Sequence, residues 1–386
     1  CRKFDVGVMC PSYRVTRDET DVTRGRANTL RLALTGQLGR EGIAGPEVAE
    51  ALKLCVSCKA CRRECPTGVD MAKLKIEATA ARVERHGMSL RDRLVAGLPR
   101  YAPWASRVPA LANLRNHVPL LRRLGERIGF SATRDLPEFR RDIFRDAEAD
   151  AAPATRDVYL LADTFNRHFE PENLRAALRV LRAAGVRAIL PKSPGGTLCC
   201  GRTYLSAGQV DRARTEAARM LAALPGDLPV VGLEPSCLFT LKDEFPSLLP
   251  GPAAQALAGR AMLLGEFLAT TSLDLKPLAA TAHVHGHCHQ KSFGAFPAGI
   301  AALKQVPDLV VKPIASSCCG MAGSFGYQSE TQEASRAMAE ANLLPAVRAA
   351  AAEDIIVADG TSCRHQIRDL SGRVAIHSVR VLERAL

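Results

Sequence analysis

Four cysteines within eleven residues constrain this chain more than any other feature: CVSCKACRREC, from Cys55 through Cys58 and Cys61 to Cys65, followed by Pro66. The spacing C-x2-C-x2-C-x3-C-P brings three thiolates onto one face of an iron–sulfur cubane and sends the fourth toward another cluster. Zinc sites ordinarily use separated cysteine pairs. The whole chain holds 13 cysteines, and an odd number cannot pair completely within it. Clustered thiols without a secretory leader pattern fit a reducing compartment, where cysteine binds metal instead of cross-linking, so the expected location is cytoplasmic.

If Cys65 serves another cluster, Cys55, Cys58 and Cys61 need a fourth ligand. Cys10-Pro11 repeats the Cys-Pro ending, so the first [4Fe-4S] set is expected to be Cys10, Cys55, Cys58 and Cys61. By the same crossing rule Cys65 joins Cys1 at a second [4Fe-4S] site, whose two remaining ligands are expected upstream of the chain. A chain that starts at Cys1 and lacks those ligands reads as an interior piece of a longer protein.

Periodicity divides the 386 residues into four parts. Residues 1–87 read as a small helical ferredoxin-like domain, with helices over 23–38, where Leu30, Leu34 and Leu38 recur one turn apart, and over 69–86. Residues 88–150 read as a basic connector whose prolines at 99, 103, 109 and 119 break it into short helices. Residues 151–275 and 276–386 alternate β-type runs with helical segments, the pattern of parallel α/β units. Strands are expected over 157–163, 186–191, 229–235, 281–288, 309–314, 354–363 and 373–378, with a long helix over 331–352. The expected fold class is therefore α+β and multidomain.

The two α/β units share their punctuation. Cys199-Cys200-Gly201 and Cys318-Cys319-Gly320 are each followed by a helix, a strand and a Ser-Cys pair, Ser236-Cys237 and Ser362-Cys363. An internal duplication explains this. Neighbouring side chains alternate along a strand, so each Cys-Cys-Gly must lie on a loop, where glycine permits a tight turn. The second unit offers Cys288, Cys318, Cys319 and Cys363, enough for a third cluster or a zinc ion; inert or disulfide-linked thiols are the bland alternative. The first offers only Cys199, Cys200 and Cys237, with Asp163 at the strand end where a further cysteine would stand. In HVHGHCHQ, His283, His285, His287 and His289 would share one face of a strand, and His287 and His289 are candidate ligands or proton carriers. No catalytic residue is assignable.

The net charge of +12 is concentrated in arginines between 82 and 145. Aromatics are only 5% of the chain, and no helix-turn-helix or zinc-finger spacing accompanies the charge, so nucleic acid is not an expected partner. The connector is expected to meet a protein partner or anionic lipid at the inner face of a membrane.

On MCPSYRVTRDETDVTRGRANTLR, CVSCKACRRECPTGVD, GHCHQKS, CCGMAGSFGY and ADGTSCRHQI, the chain resembles the iron–sulfur subunits of glycolate oxidase, lactate utilisation and anaerobic glycerol-3-phosphate dehydrogenase, and the cysteine-rich subunit of heterodisulfide reductase. It is most similar to the carboxyl-terminal half of fused FAD-linked D-2-hydroxy acid oxidases. The resemblance implies that FAD on another domain or subunit oxidises a D-2-hydroxy acid such as D-lactate, D-2-hydroxyglutarate or glycolate. Electrons would then leave through the clusters to a quinone or another carrier. The heterodisulfide-reductase likeness implies an alternative, disulfide or thiol reduction at a CCG cluster. Its C-x-x-C element is missing here, because Cys237 and Cys363 stand alone, so a noncubane cluster in both units is not expected.

Overall fold

The computed structural model describes residues 7–149 and 154–386; Cys1 lies outside them. Four helices, Thr23–Leu34, Pro46–Lys53, Ala60–Glu64 and Met71–His86, frame the amino-terminal region. They bury Val22, Leu30, Val48, Leu52 and Met71 against one another. The helix expected over 23–38 stops at Leu34, whose side chain is 74% exposed, because Gly36 turns into the left-handed region. Asp70 starts the last of the four helices by accepting from the Lys73 N–H at 3.2 Å.

The connector departs from expectation. A single 16-residue helix, Leu90–Ala105, runs through both Pro99 and Pro103. The two prolines stand four residues apart, so the missing N–H groups fall on one stripe and the rest of the ladder survives. Pro109 and Pro119 behave as expected, each opening a short helix, Pro109–Ala112 and Pro119–Arg127.

Two parallel sheets follow. The first contains β1 (Arg156–Leu161), β2 (Val186–Ile189), β3 (Val230–Gly232) and β4 (Ala261–Leu263) in the order β2-β1-β3-β4. The second contains β5 (Ala280–His285), β6 (Leu309–Pro313), β7 (Ile355–Ala358) and β8 (Ala375–Ile376) in the order β6-β5-β7-β8. The identical order is the duplication read from the cysteine punctuation. β4 escaped the sequence reading because its three residues run directly from the helix Pro252–Arg260 into the helix Leu264–Leu268, with no turn residues to set them off. The helix expected over 331–352 is two, Gln332–Glu340 and Leu343–Ala349, since Pro345 cannot donate to residue 341 in a continuous helix.

Val158, Leu160 and Val231 of the first sheet belong to the same buried apolar cluster as Ala282, Val284 and Val357 of the second, so the units share a core. A buried ion pair also joins them. Arg364 Nε donates to Glu170 Oε1 at 2.7 Å and Thr361 Oγ1 to Glu170 Oε2 at 2.9 Å, while the Arg364 side chain is 4% exposed. Burial would raise the Glu170 carboxyl, but the Arg364 guanidinium and these hydrogen bonds overcome it and hold the group at about 2, below its ordinary 4.5. A depressed carboxyl stabilises the fold above its unfolded value and loses that contribution as pH falls toward the folded one, here about 3 kcal/mol. Glu170→Gln strands a buried guanidinium and should cost about 3–5 kcal/mol at neutral pH. In urea denaturation the gap between wild type and variant should narrow as pH falls below 4.5; a constant gap would remove the ion pair from the stability of this interface.

Candidate metal centre

Cys10, Cys55, Cys58 and Cys61 line one buried cavity together with Thr23, Arg26 and Met71. Local backbone brings them there. Cys10 caps the helix Pro11–Thr16, and Cys61 lies in the helix Ala60–Glu64. Ser57 and Lys59 take φ of +50° and +61°, which coils the intervening loop tightly enough to turn Cys55 and Cys58 toward the same space. Thr23 Oγ1 lies 3.2 Å from Cys10 Sγ, and the Met71 N–H donates to Cys61 Sγ at 3.4 Å. Burial pushes the Cys10 and Cys58 thiols up and takes Cys61 to about 11. Four converging soft donors, backbone and hydroxyl groups directed at sulfur, and exclusion of water are what an iron–sulfur centre requires. Cys65 lies apart from this cavity, half-buried, with its Sγ 3.1 Å from Thr67 Oγ1. That hydrogen bond and nearby backbone N–H groups lower its thiol below the ordinary value.

In the second unit the cysteines sit at the carboxyl ends of parallel strands, where open α/β sheets build sites. Cys288 follows β5, Cys318-Cys319 follow β6 and Cys363 follows β7. Cys318 is within hydrogen-bonding reach of Cys288 and Cys319, and Cys319 of Cys363. Gly320 has φ of +82°, and a Cβ there would meet the Ser335 carbonyl oxygen at 2.3 Å, so the loop cannot carry another residue without moving the following helix.

The histidines do not share one strand face as expected. β5 ends at His285, and Gly286 frees His287 to cap the helix Cys288–Ser292. His283 Nε2 lies 2.9 Å from Asp354 Oδ2. His287 Nδ1 accepts from the His289 N–H at 3.1 Å and lies 4.0 Å from Cys288 Sγ. His289 Nε2 lies 3.1 Å from the Ser57 carbonyl oxygen, so it ties the two regions together. The imidazole that stands among the thiols is His285, one of whose ring nitrogens lies with the Sγ atoms of Cys319 and Cys363 within 4.8 Å of one another.

The first unit repeats the layout with weaker donors. Cys200 lies between Cys199 and Cys237, within reach of both. Asp163 does not stand at the position of Cys288 as expected: like His287 it is the N-cap of the short helix after the first strand, so Thr164 is the counterpart of Cys288, and the Asp163 carboxylate accepts from the Phe165 and Asn166 N–H groups at 3.0 and 3.1 Å. Burial and neighbouring Glu234 push that carboxyl up to about 7. Glu234, missed in the sequence, stands three residues before Cys237 and accepts from the Thr361 N–H across the unit boundary at 2.9 Å. Its counterpart three residues before Cys363 is Gly360, where a Cβ would press on His287 Cδ2 at 2.4 Å. Aligning the two Ser-Cys pairs would have exposed this Glu-for-Gly difference. Cys55, Cys200, Cys237, Cys288, His287 and His289 share the walls of one cavity between the three regions.

A helical thiol cradle packed against a duplicated cysteine-rich α/β pair defines an iron–sulfur electron-transfer protein. The 4Fe-4S dicluster domain matches residues 1–69, and the cysteine-rich domain matches residues 163–242 and 283–368. Both domain matches fall within this one chain. It is 24% identical to the D-2-hydroxyglutarate dehydrogenase of Escherichia coli over 99% of this chain and 42% of that protein. The Pseudomonas putida protein of that name is 26% identical, again over 99% of this chain and 42% of its own length. One subunit of the anaerobic glycerol-3-phosphate dehydrogenase of Escherichia coli is 26% identical over 82% of this chain and 81% of its own length. The chain thus spans about two fifths of the D-2-hydroxyglutarate dehydrogenases it matches, 42% of their length.

Proposed function

We propose that this chain is the iron–sulfur arm of a FAD-linked D-2-hydroxy acid dehydrogenase, taking electrons from a flavin on another domain or subunit and passing them to a quinone or other carrier. The observation that carries the reading is the convergence of Cys10 with Cys55, Cys58 and Cys61 on one buried cavity despite the 44 residues between Cys10 and Cys55. Those four would hold one [4Fe-4S] cluster. Cys65 and Cys1 would hold part of a second, and Cys288, Cys318, Cys319 and Cys363 would hold a third centre. When bound, such clusters convert the two-electron chemistry of a flavin into one-electron steps. The chain's own residues supply thiolates, exclude water and direct N–H groups at sulfur, which sets the potential.

The likeness to D-2-hydroxyglutarate dehydrogenases over 99% of the chain supports a D-2-hydroxy acid as donor. The connector helices leave Trp104, Val108, Leu111 and Leu120 exposed among arginines, which supports a peripheral contact with anionic lipid, where quinone resides. Among the described residues no helix is long and apolar enough to cross a membrane.

The test is anaerobic titration of the whole protein with D-2-hydroxyglutarate, D-lactate or glycolate, followed by absorption and electron paramagnetic resonance. One of these acids should bleach the cluster absorption and raise a reduced-cluster signal. Clusters that dithionite reduces but none of the acids does would overturn the reading; a small disulfide that reoxidises them catalytically would favour thiol chemistry at the CCG units instead.

A further inference from the structure

The helix Leu90–Ala105 is built inside out. Successive residues turn by about 100°, which places Leu90, Leu94, Tyr101 and Trp104 on one arc of about 80°. All four are exposed, Leu90 by 56% and Trp104 by 65%, while the small residues of the same helix, Ala96, Pro99 and Ala102, are the buried ones. The stripe continues past the helix end in Val108 and Leu111, which are 53% and 70% exposed. Of the thirteen large apolar side chains exposed among the described residues, nine lie between Leu90 and Leu124. A helix that serves only the core turns its large apolar residues inward. Scattered exposed leucines are ordinary, but a continuous stripe marks an interaction site.

The charge around the stripe decides what covers it. Residues 89–128 hold eight arginines against only Asp92 and Glu126, so half of the chain's net +12 sits here. Arg93, Arg107, Arg123 and Arg127 are exposed and make no ion pair among the described residues. The Arg107 guanidinium stands 4.1 Å from the centre of the Trp104 ring, which brings a cation and an amphipathic aromatic to one level. Large apolar residues on one face, tryptophan at the boundary and unpaired arginines beside it are the composition of a helix that lies in a lipid interface. A leaflet of anionic lipid supplies negative charge all round such a stripe.

We propose that the helix Leu90–Ala105 and the turn after it lie in the headgroup layer of an anionic leaflet, with Trp104 and Leu111 inserted. The inference rests on the lipid contact proposed above and fixes its face and orientation. The opposite side of the same helix turns Val95 and Pro99 into the cavity shared by Cys55, Cys200, Cys237 and Cys288. One helix diameter, about 10 Å, then separates the leaflet from the sulfur groups, so docking brings a lipid-soluble acceptor next to them.

The whole protein is tested by cosedimentation with vesicles of phosphatidylcholine alone and of phosphatidylcholine with phosphatidylglycerol. It should bind the anionic vesicles only, and less as salt rises. Arg93→Gln with Arg123→Gln should weaken that binding about 30-fold, since each basic residue beside an anionic leaflet contributes about fivefold. Leu94→Ser with Leu111→Ser should weaken it about tenfold. All four positions are exposed, so cluster absorption should be unchanged. Trp104 is the one tryptophan of this chain and reports the orientation: brominated lipid in the anionic vesicles should quench a fluorescence component that Trp104→Phe lacks. Equal binding to neutral vesicles, binding that neither double variant weakens, or binding without quenching of Trp104 overturns the inference. Absence of binding overturns it too and gives the stripe to a protein partner. Reduction of the clusters by a hydroxy acid is read without lipid, so the electron-transfer reading survives each of these failures and falls only on its own titration.

Discussion

Cys58→Ser is expected to remove an entire [4Fe-4S] centre, about four irons per chain, and with it one reducible signal. Cys58 is buried, its neighbours at the cavity are Cys10, Cys55 and Cys61, and a serine hydroxyl in the same place is a poor ligand for iron. The informative comparison is with Cys10→Ser. If both thiols hold one centre, each single variant loses the same iron, and the double variant loses no more than either. Residues that act as one unit are non-additive in this way. Cys237→Ser should leave that signal intact, since Cys237 is outside the cavity. Iron analysis and spectra of the dithionite-reduced proteins decide the matter. Additive losses in the double variant would assign Cys10 to a different centre.

Lys59→Met is expected to cost about 3–5 kcal/mol, a large part of the about 5–15 kcal/mol that holds an ordinary domain folded. Lys59 follows Cys58 in the cradle loop, and its Nζ lies 2.6 Å from Asp243 Oδ2 and 2.5 Å from Glu244 Oε1 of the first α/β unit. Its side chain is 1% exposed and those of the two acids 1% and 4%. Burial takes the ammonium down to about 8 although Glu244 opposes the shift, so it remains largely charged at neutral pH. Removing it leaves two desolvated carboxylates to Arg62, Lys73 and Arg202 at the edge of the cluster. Glu244→Gln removes part of that uncompensated charge, so Lys59→Met should cost less in the Glu244→Gln background. Chemical denaturation of the four proteins of this cycle measures the coupling. An equal cost in both backgrounds would mean that Glu244 is not what Lys59 neutralises.

How much was legible in the sequence follows the range of the interactions concerned. The C-x2-C-x2-C-x3-C-P run states its chemistry locally, because the spacing within eleven residues sets where the thiols can point. Cys10 was legible at long range only because it carries the same Cys-Pro ending. The paired sheets were legible through repetition of Cys-Cys-Gly and Ser-Cys, and their matching strand orders follow from that duplication. The histidine pattern misled. Alternation in HVHGHCHQ looks like one strand face, but Gly286 ends the strand, and a cap geometry replaces the alternation after His285. Proline misled as well, since Pro99 and Pro103 sit inside a continuous helix.

By itself the sequence determined the class of chemistry, the helical and parallel α/β regions and the cysteines that are candidates for iron. Those are properties of local spacing and of repetition, which survive without knowledge of what packs where. Only the tertiary structure decided which histidine stands with the sulfurs, that Lys59 is held by acids 184 and 185 residues away, and that three sulfur groups share the walls of one cavity. Burial and hydrogen bonding between distant segments have no periodicity along the chain. They arise when the folded backbone removes water from groups that must then satisfy one another.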